Sequence, residues 1–403
     1  MLFRSHTLAL VVSKNKKCWL EDLGESSLID NDILNYRKHF LQLAHNNQAV
    51  TQADQKAYEE LSVRLYRRLW NPIAGKIANG ATVLIGADAA LNLISFAGIV
   101  DEHGTYLIER HPIHYVSAGR DLIRMKEIQK SGKGFIAFGD PDYDAPPGAR
   151  KGTAASSLSG AITENNDHRV RNVRSGCGAL STMTVQPLPG TRAELTALEH
   201  SYDGKKPALF LGPDASEENF KQDARGHRYI HVATHGYFLE GECASGTEKR
   251  AVPTLANENP LLQSGLFLAG ANLHGEGAES TGVEDGVLTA LEVSGMDLRG
   301  TGLVVLSACE TGLGKVEQGE GVYGLRRSFQ MAGARTVVSS LWQIPDNETR
   351  KFMKELYSQK ASTYPELLQK VSIRQLTELR KRGRVTHPYT WAGFVATGDW
   401  KIK

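Results

Sequence analysis

The sequence predicts an α/β protein whose sheet is mostly parallel and flanked by helices, and three observations carry that expectation. Five short apolar runs recur beyond residue 130: GFIAFGD (134–140), ALFLG (208–212), YIHVATHG (229–236), GLVVLSAC (302–309) and TVVSSLW (336–342). They are continuously apolar rather than alternating, as expected of strands buried on both faces. Amphipathic stretches such as TRAELTALEHSY, EENFKQDAR, VYGLRRSFQMAGA and ETRKFMKELYSQ separate several of them, which is the order of a βα-wound sheet. The composition is that of a globular protein: 403 residues, 41% apolar and 23% charged, enough to bury a full-sized core.

From the amino end, Leu8–Val12 is an apolar run too short for a signal-peptide core or a membrane span, and it reads as a first strand. Residues 54–70 place Tyr58, Leu61, Leu65 and Leu69 at helical spacing, and Pro72 should end or kink that helix at Asn71. ATVLIGAD and TYLIERHPIHYV then read as strands around the turn DEHG. A boundary near residue 130 divides the chain into a first part, 1–130, and a second, 131–403. Within the second, residues 143–181 and 240–259 lack periodicity and are expected to be long surface loops. WAGFVATG (391–398) reads as the last strand.

Several function classes are disfavoured. With 47 basic against 45 acidic residues the formal charge is +2, which gives no electrostatic case for nucleic acid or for an anionic membrane. Cys18, Cys177, Cys243 and Cys309 lie far apart with no CxxC pair, so neither a zinc knuckle nor a disulfide framework is indicated. A reducing compartment is the simpler setting, with the cytoplasm as default. Gly319, Gly321 and Gly324 spell GxGxxG, but a dinucleotide fingerprint should follow its strand directly, and here the strand ends ten residues earlier. His231 and His235 are spaced four apart on a strand, which puts them about 13 Å from one another, too far to share a metal. His231 reads instead as a hydrogen-bonded core histidine. No cofactor and no metal is expected. The basic run HRVRNVRSG (168–176) reads as a solvated loop, since three arginines do not make a nucleic-acid surface.

The chemistry concentrates at two strand ends. YIHVATHG finishes in His235-Gly236, and GLVVLSAC finishes in Cys309. In parallel α/β sheets the carboxyl ends of the strands share one edge, where ligands bind. If the two strands are neighbours, ~4.8 Å apart, the imidazole and thiol can share a proton, and the thiol becomes a nucleophilic thiolate. The N–H groups of Gly236 and Cys309 would then form an oxyanion hole. On residue types alone a second reading stands beside this one: Cys309 as a buried core cysteine and His235 as a hydrogen-bonded strand-end histidine.

The segments RYIHVATHG (228–236) and LSACETG (306–312) resemble the CHAT family, a bacterial branch of caspase- and separase-like peptidases. The likeness continues through GEGVYGLRRSFQMAGARTVVSSLWQIPD (319–346) and HPYTWAGFVATGDW (387–400). It also reaches back through PLPGTRAEL (187–195) to LIGADAALNLISFAGI. The resemblance implies a caspase-like fold in which residues 1–130 form a degenerate half without a dyad and 131–403 the active half. It also implies that His235 and Cys309 are the catalytic dyad of a cysteine endopeptidase acting on protein substrates. Family members often carry sensor domains, and some act in bacterial defence against phage, so a separate regulatory or sensor protein is an expected partner. The competing reading is a non-catalytic caspase-like scaffold.

Substrate choice is less defined. Ser307, two residues before Cys309, stands where caspases have glutamine and metacaspases aspartate, in the pocket for the residue on the amino side of the cut. It signals neither acidic nor basic preference. Asp285 and Asp346 are candidate acidic pocket residues, with turn and helix-cap chemistry as the alternative. By the resemblance, Ser340 and Trp342, in SSLWQ, are candidates for pairing with an extended substrate by β-augmentation, although Trp342 also suits a core. Since caspase-like enzymes often carry cleavable linkers between strands, Arg171 and Arg174 are candidate processing sites.

Overall fold

The structure of the protein, a computed structural model, describes residues 5–15, 17–46, 49–117, 119, 121–125, 131–146, 184–202, 204–239, 259–273, 284–308, 311, 315–317 and 321–402. Cys309, Arg171 and Arg174 lie outside the described residues, as does most of the two expected loops. The chain divides into two compact units: Met1–Lys126 with Val316–Val322 and Ser340–Lys403, and Glu127–Lys315 with Tyr323–Ser339. One cut falls between Lys126 and Glu127. The carboxyl-terminal segment, however, groups with the amino-terminal part, because its last strand pairs there.

The strands, in chain order, are β1 (His6–Val12), β2 (Cys18–Glu25), β3 (Val83–Ile85), β4 (Ile113–Tyr115), β5 (Phe135–Pro141), β6 (Ala208–Gly212), β7 (Tyr229–Ala233), β8 (Gly236–Phe238), β9 (Ser264–Phe267), β10 (Val287–Thr289), β11 (Leu303–Ser307), β12 (Lys315–Glu317), β13 (Gly321–Tyr323), β14 (Thr336–Ser340) and β15 (Phe394–Gly398). The helices used below are α1 (Ser26–Asn46), α2 (Gln52–Leu65), α3 (Pro189–Ser201), α4 (Glu217–Asp223), α5 (Leu325–Met331), α6 (Asp346–Ser358) and α7 (Tyr364–Lys381).

In the second unit all five expected strands form, in the order β14-β11-β7-β5-β6, and each neighbouring pair is parallel. Because side chains alternate along a strand, the sheet presents two different faces. Ile136, Phe138, Ile230, Val232, Val304, Leu306 and Val337 point to one face and pack with Phe220 of α4 and Leu325 and Phe329 of α5. The opposite parity holds Ala137, Gly139, His231, Ala233, Val305 and Ser307, aligned by the registers Ala137↔His231 and Val305↔His231. Small residues here let α3 approach closely. A methyl at Gly139 would lie 2.9 Å from a Leu195 methyl carbon and 3.2 Å from the Ala233 carbonyl oxygen. A separate antiparallel sheet, β10-β9-β8, follows from the chain just after β7.

In the first unit β3, β4 and β15 pair in parallel, and α7 packs on β4 and β15. The expected helix over 54–70 starts at a Thr51/Asp54 capping box and does not stop at Pro72. It widens into a π-helical turn over Tyr66–Trp70, where the Asn71 N–H bonds back to the Tyr66 carbonyl, and resumes over Asn71–Ala74. Proline removes one N–H from the ladder, and the wider turn lets the chain continue. TYLIER is helical over Leu107–Arg110 rather than extended, with the Tyr106 N–H donating to Glu109 at 3.0 Å; the strand is confined to Ile113–Tyr115.

Trp342 belongs to this unit's core. It is 3% exposed, its ring stacks on Phe40 at 4.0 Å between centroids, and its Nε1 donates to the Tyr389 carbonyl at 3.0 Å. Removing such an aromatic leaves a cavity and an unpaired carbonyl. Trp342→Ala is therefore expected to lower unfolding free energy by about 3–5 kcal/mol, read from denaturant titration. Trp342→Phe, which keeps the stack but not the hydrogen bond, should cost less.

Beside it, His39 Nε2 and His387 Nε2 lie 3.0 Å apart. His387 Nδ1 accepts the Tyr389 N–H, so its proton sits on Nε2 and is donated to His39. Burial, then the neighbouring His39, depress the His387 pKa to about 3; Asp54 opposes this weakly. Burial also lowers that of His39, again against Asp54. A depressed histidine pKa means that the unfolded chain takes up the proton first as pH falls. For His387 the stabilisation is thus complete above pH ~6.5 and is lost between there and pH 3, at up to about 1.4 kcal/mol per pH unit, and His39 adds to the loss as pH falls below ~6.5. Urea midpoints measured from pH 7.5 to 4.5 should fall along that slope, and His387→Asn should flatten it.

Candidate active site

β7 ends at Ala233, and its parallel register with β11 sets Ala233 opposite Ser307. The two strands that lead to His235 and to Cys309 are therefore hydrogen-bonded neighbours, and both finish at the same edge of the sheet. Cys309 follows two residues after Ser307 in sequence and lies outside the described residues.

His235 is half-buried at the turn from β7 into β8. Its Nε2 lies 2.9 Å from the Gln186 carbonyl oxygen. A carbonyl only accepts, so Nε2 carries a proton, and in the neutral form of the ring the lone pair is on Nδ1. That tautomer suits a general base whose orientation comes from the backbone. The ring also faces Tyr143 at 5.8 Å between centroids. Tyr143 is held in turn, its hydroxyl donating to Thr234 Oγ1 at 2.9 Å while Thr234 donates to the Phe267 carbonyl at 2.5 Å.

Gly236 opens β8, opposite Leu266 on β9. The Phe267 N–H donates to the His235 carbonyl at 3.0 Å and the Leu239 N–H to the Gln263 carbonyl at 2.8 Å. These bonds put Gly236 and Leu266 at a non-hydrogen-bonded position of the antiparallel ladder. The Gly236 N–H is thus directed away from β9, towards the outer edge of β8. An amide so placed is available in direction to a developing oxyanion.

The remaining sequence candidates sit as follows. Ser307 is buried, and its hydroxyl donates to Glu194 Oε2 at 3.0 Å. Asp285 is half-buried in a turn where Oδ1 accepts the Val287 N–H at 2.9 Å. Ser340 is buried at the end of β14, and the next amide, Leu341, already donates to the Gly393 carbonyl. Trp342 lies in the core described above. Asp346 is exposed at the first turn of α6.

Residues that sequence reasoning passed over are the supports: the Gln186 carbonyl, Tyr143, Thr234 and Glu194. His231, read as a core histidine, is fully buried with Nε2 2.9 Å from Glu194 Oε1. A glutamate on an amphipathic helix ordinarily reads as a solvent-facing charge, and a backbone carbonyl has no sequence signal at all.

The described residues contain one carboxylate group close enough for metal ligation, Glu217, Glu284 and Glu292. Lys221 Nζ stands among them, at 2.7, 2.9 and 3.0 Å respectively. Its ammonium occupies the place a cation would take. Burial, reinforced by Glu292, raises the Glu217 carboxyl well above the usual carboxylate range, with Lys221 opposing. Burial works against charge on Lys221 too, yet Glu217 and Glu292 leave its pKa higher than ordinary. This cluster is an internal ion-pair network joining α4 to the β10 region. No helix among the described residues is long and apolar enough to cross a membrane.

The chain is similar to several known proteins. Among curated sequences, tetratricopeptide repeat protein 28 of Mus musculus is 32% identical over 115 residues, covering 28% of this chain and 4% of that protein; the Homo sapiens protein matches to the same degree over 114 residues. The matched segment is thus a small fraction of those relatives' length. Among solved structures, separase from the Saccharomyces cerevisiae separase–securin complex aligns with a TM-score of 0.42 at 9% identity, over 79% of this chain and 16% of that one. The Arg-specific cysteine proteinase gingipain R aligns with a TM-score of 0.42 at 10% identity, over 88% of this chain and 68% of that one. The family model of the CHAT domain matches residues 59–399, and with that match over most of its length the chain belongs to the CHAT domain family.

Proposed function

We propose that the chain is a cysteine endopeptidase in which Cys309 is the nucleophile and His235 its acid/base partner. The observation that carries this reading is the neighbouring parallel pair β7 and β11, which sends His235 and the segment leading to Cys309 to one sheet edge, with His235 Nε2 bonded to the Gln186 carbonyl. In the proposed reaction His235 Nδ1 takes the thiol proton, and the Cys309 thiolate attacks the peptide carbonyl. The N–H groups of Gly236 and Cys309 hold the oxyanion. The C–N bond then breaks as the imidazolium returns its proton to the leaving amine, and water activated by His235 hydrolyses the thioester. A protein substrate and control by a partner or sensor protein belong to the same proposal.

The tetratricopeptide repeat relatives support a second reading, a non-catalytic scaffold within a larger protein. The two separate cleanly. A peptidyl acyloxymethyl ketone should label the wild-type protein and fail to label Cys309→Ala, with His235→Ala labelling reduced by roughly 10³-fold or more in rate, the scale on which loss of one member of a catalytic unit acts. A peptide-library cleavage profile with Cys309→Ala as blank should give cuts in the wild type only. Absence of labelling and of Cys309-dependent cleavage, tested with and without a lysate supplying partners, favours the scaffold.

A further inference from the structure

The segment that enters and begins α3 reaches the carboxyl ends of three neighbouring strands. The Gln186 carbonyl accepts from His235, just beyond β7. Thr191 Oγ1 accepts the Asp140 N–H, at the end of β5, at 2.9 Å. Glu194 carries the third and deepest contact. It is 3% exposed, although it is a carboxylate on a helix. Its Oε1 lies 2.9 Å from His231 Nε2, on β7, and its Oε2 accepts the Ser307 hydroxyl, on β11, at 3.0 Å.

Burying a carboxylate is costly unless both oxygens find partners. Here the partners come from two different strands, and these are the strands that lead to His235 and Cys309. His231 precedes His235 by four residues, and Ser307 precedes Cys309 by two. The geometry that permits the bridge is the face of small residues, Ala137, Gly139 and Ala233, over which α3 sits close enough for a glutamate to reach the sheet. Backbone bonds between parallel strands hold the strands together along their length. A side chain bonded to both near their ends fixes, in addition, how those ends stand relative to the overlying helix.

We propose that Glu194 is a positioning residue: it ties the ends of β7 and β11 to α3 and so sets the relative placement of the dyad-bearing segments. This inference rests on the peptidase reading for its kinetic consequence, but not for its structural one. The bridge works through geometry rather than charge. Glu194→Gln can keep both bonds, its amide oxygen accepting from His231 and its NH₂ donating to a rotated Ser307 hydroxyl. Glu194→Ala can keep neither.

The test compares wild type, Glu194→Ala and Glu194→Gln, with turnover counted per covalently titrated site and hydrogen–deuterium exchange followed over residues 229–239 and 303–308. In Glu194→Ala, kcat should fall about 10- to 100-fold at nearly constant KM, the scale of a misplaced catalytic group, with faster exchange in both segments. Glu194→Gln should stay within about threefold of wild type, the conservative exchange that retains the geometry. Should Glu194→Ala fail to fold, Ser307→Ala and His231→Leu replace it, since each removes a single contact. A loss of thermal stability with kcat per titrated site unchanged would show a merely structural role and overturn the proposal. If the wild type neither labels nor cleaves, the peptidase reading fails and exchange alone decides: faster exchange at both strand ends upholds the bridge, and unchanged exchange removes it.

Discussion

Parallel pairing of β7 with β11 is the constraint on which the candidate site depends. The register Ala233↔Ser307 brings two segments more than seventy positions apart in sequence to one edge of a sheet. Parallel strands have no turn to join them, so their register is set by what packs on each face. On one face that is the apolar cluster with α4 and α5. On the other it is α3, whose Glu194 is bonded to a histidine of one strand and a serine of the other. A one-residue slip of either strand would exchange that strand's faces and bring His231, or else Ser307, into the apolar layer.

Two of the groups that support His235, the Gln186 carbonyl and Tyr143, come from places with no local connection to it. The Gln186 carbonyl sets its tautomer, and Tyr143 lies against its ring through Thr234 and Phe267. A backbone carbonyl can hold an imidazole by accepting one N–H, with no charged side chain required. The same strand-to-strand transition directs the Gly236 amide outward, because the antiparallel β8–β9 ladder places Gly236 at a non-bonded position.

The amino-terminal unit is built differently. Its three parallel strands include β15 from the far end of the chain, and its core gathers Phe40, Trp342, His387 and Tyr389 around α1. The family resemblance makes Trp342 a candidate for substrate contact, with a core position as the alternative. Its stack on Phe40 and its bond to the Tyr389 carbonyl give it a packing role. The internal position of the amide after Ser340 follows from the same layout.

Much of this was legible in the sequence because it rests on short-range chemistry. The five apolar runs became strands, since continuous apolarity suits burial on both faces. His235-Gly236 and the approach to Cys309 were placed at strand ends by the position of those runs alone. Local signals failed where competing contacts outweighed them: TYLIER turned helical once Glu109 bonded the Tyr106 amide, and the π turn carried the helix past Pro72. What only the tertiary structure decided is which strands adjoin, that the carboxyl-terminal strand pairs with β4, and that Glu194 is buried rather than solvated. These depend on contacts between residues distant in sequence, whose energies have no counterpart in composition or periodicity. The physical reason is that a charge at a helical position reads as solvent-facing until the opposing sheet supplies a histidine and a hydroxyl to receive it.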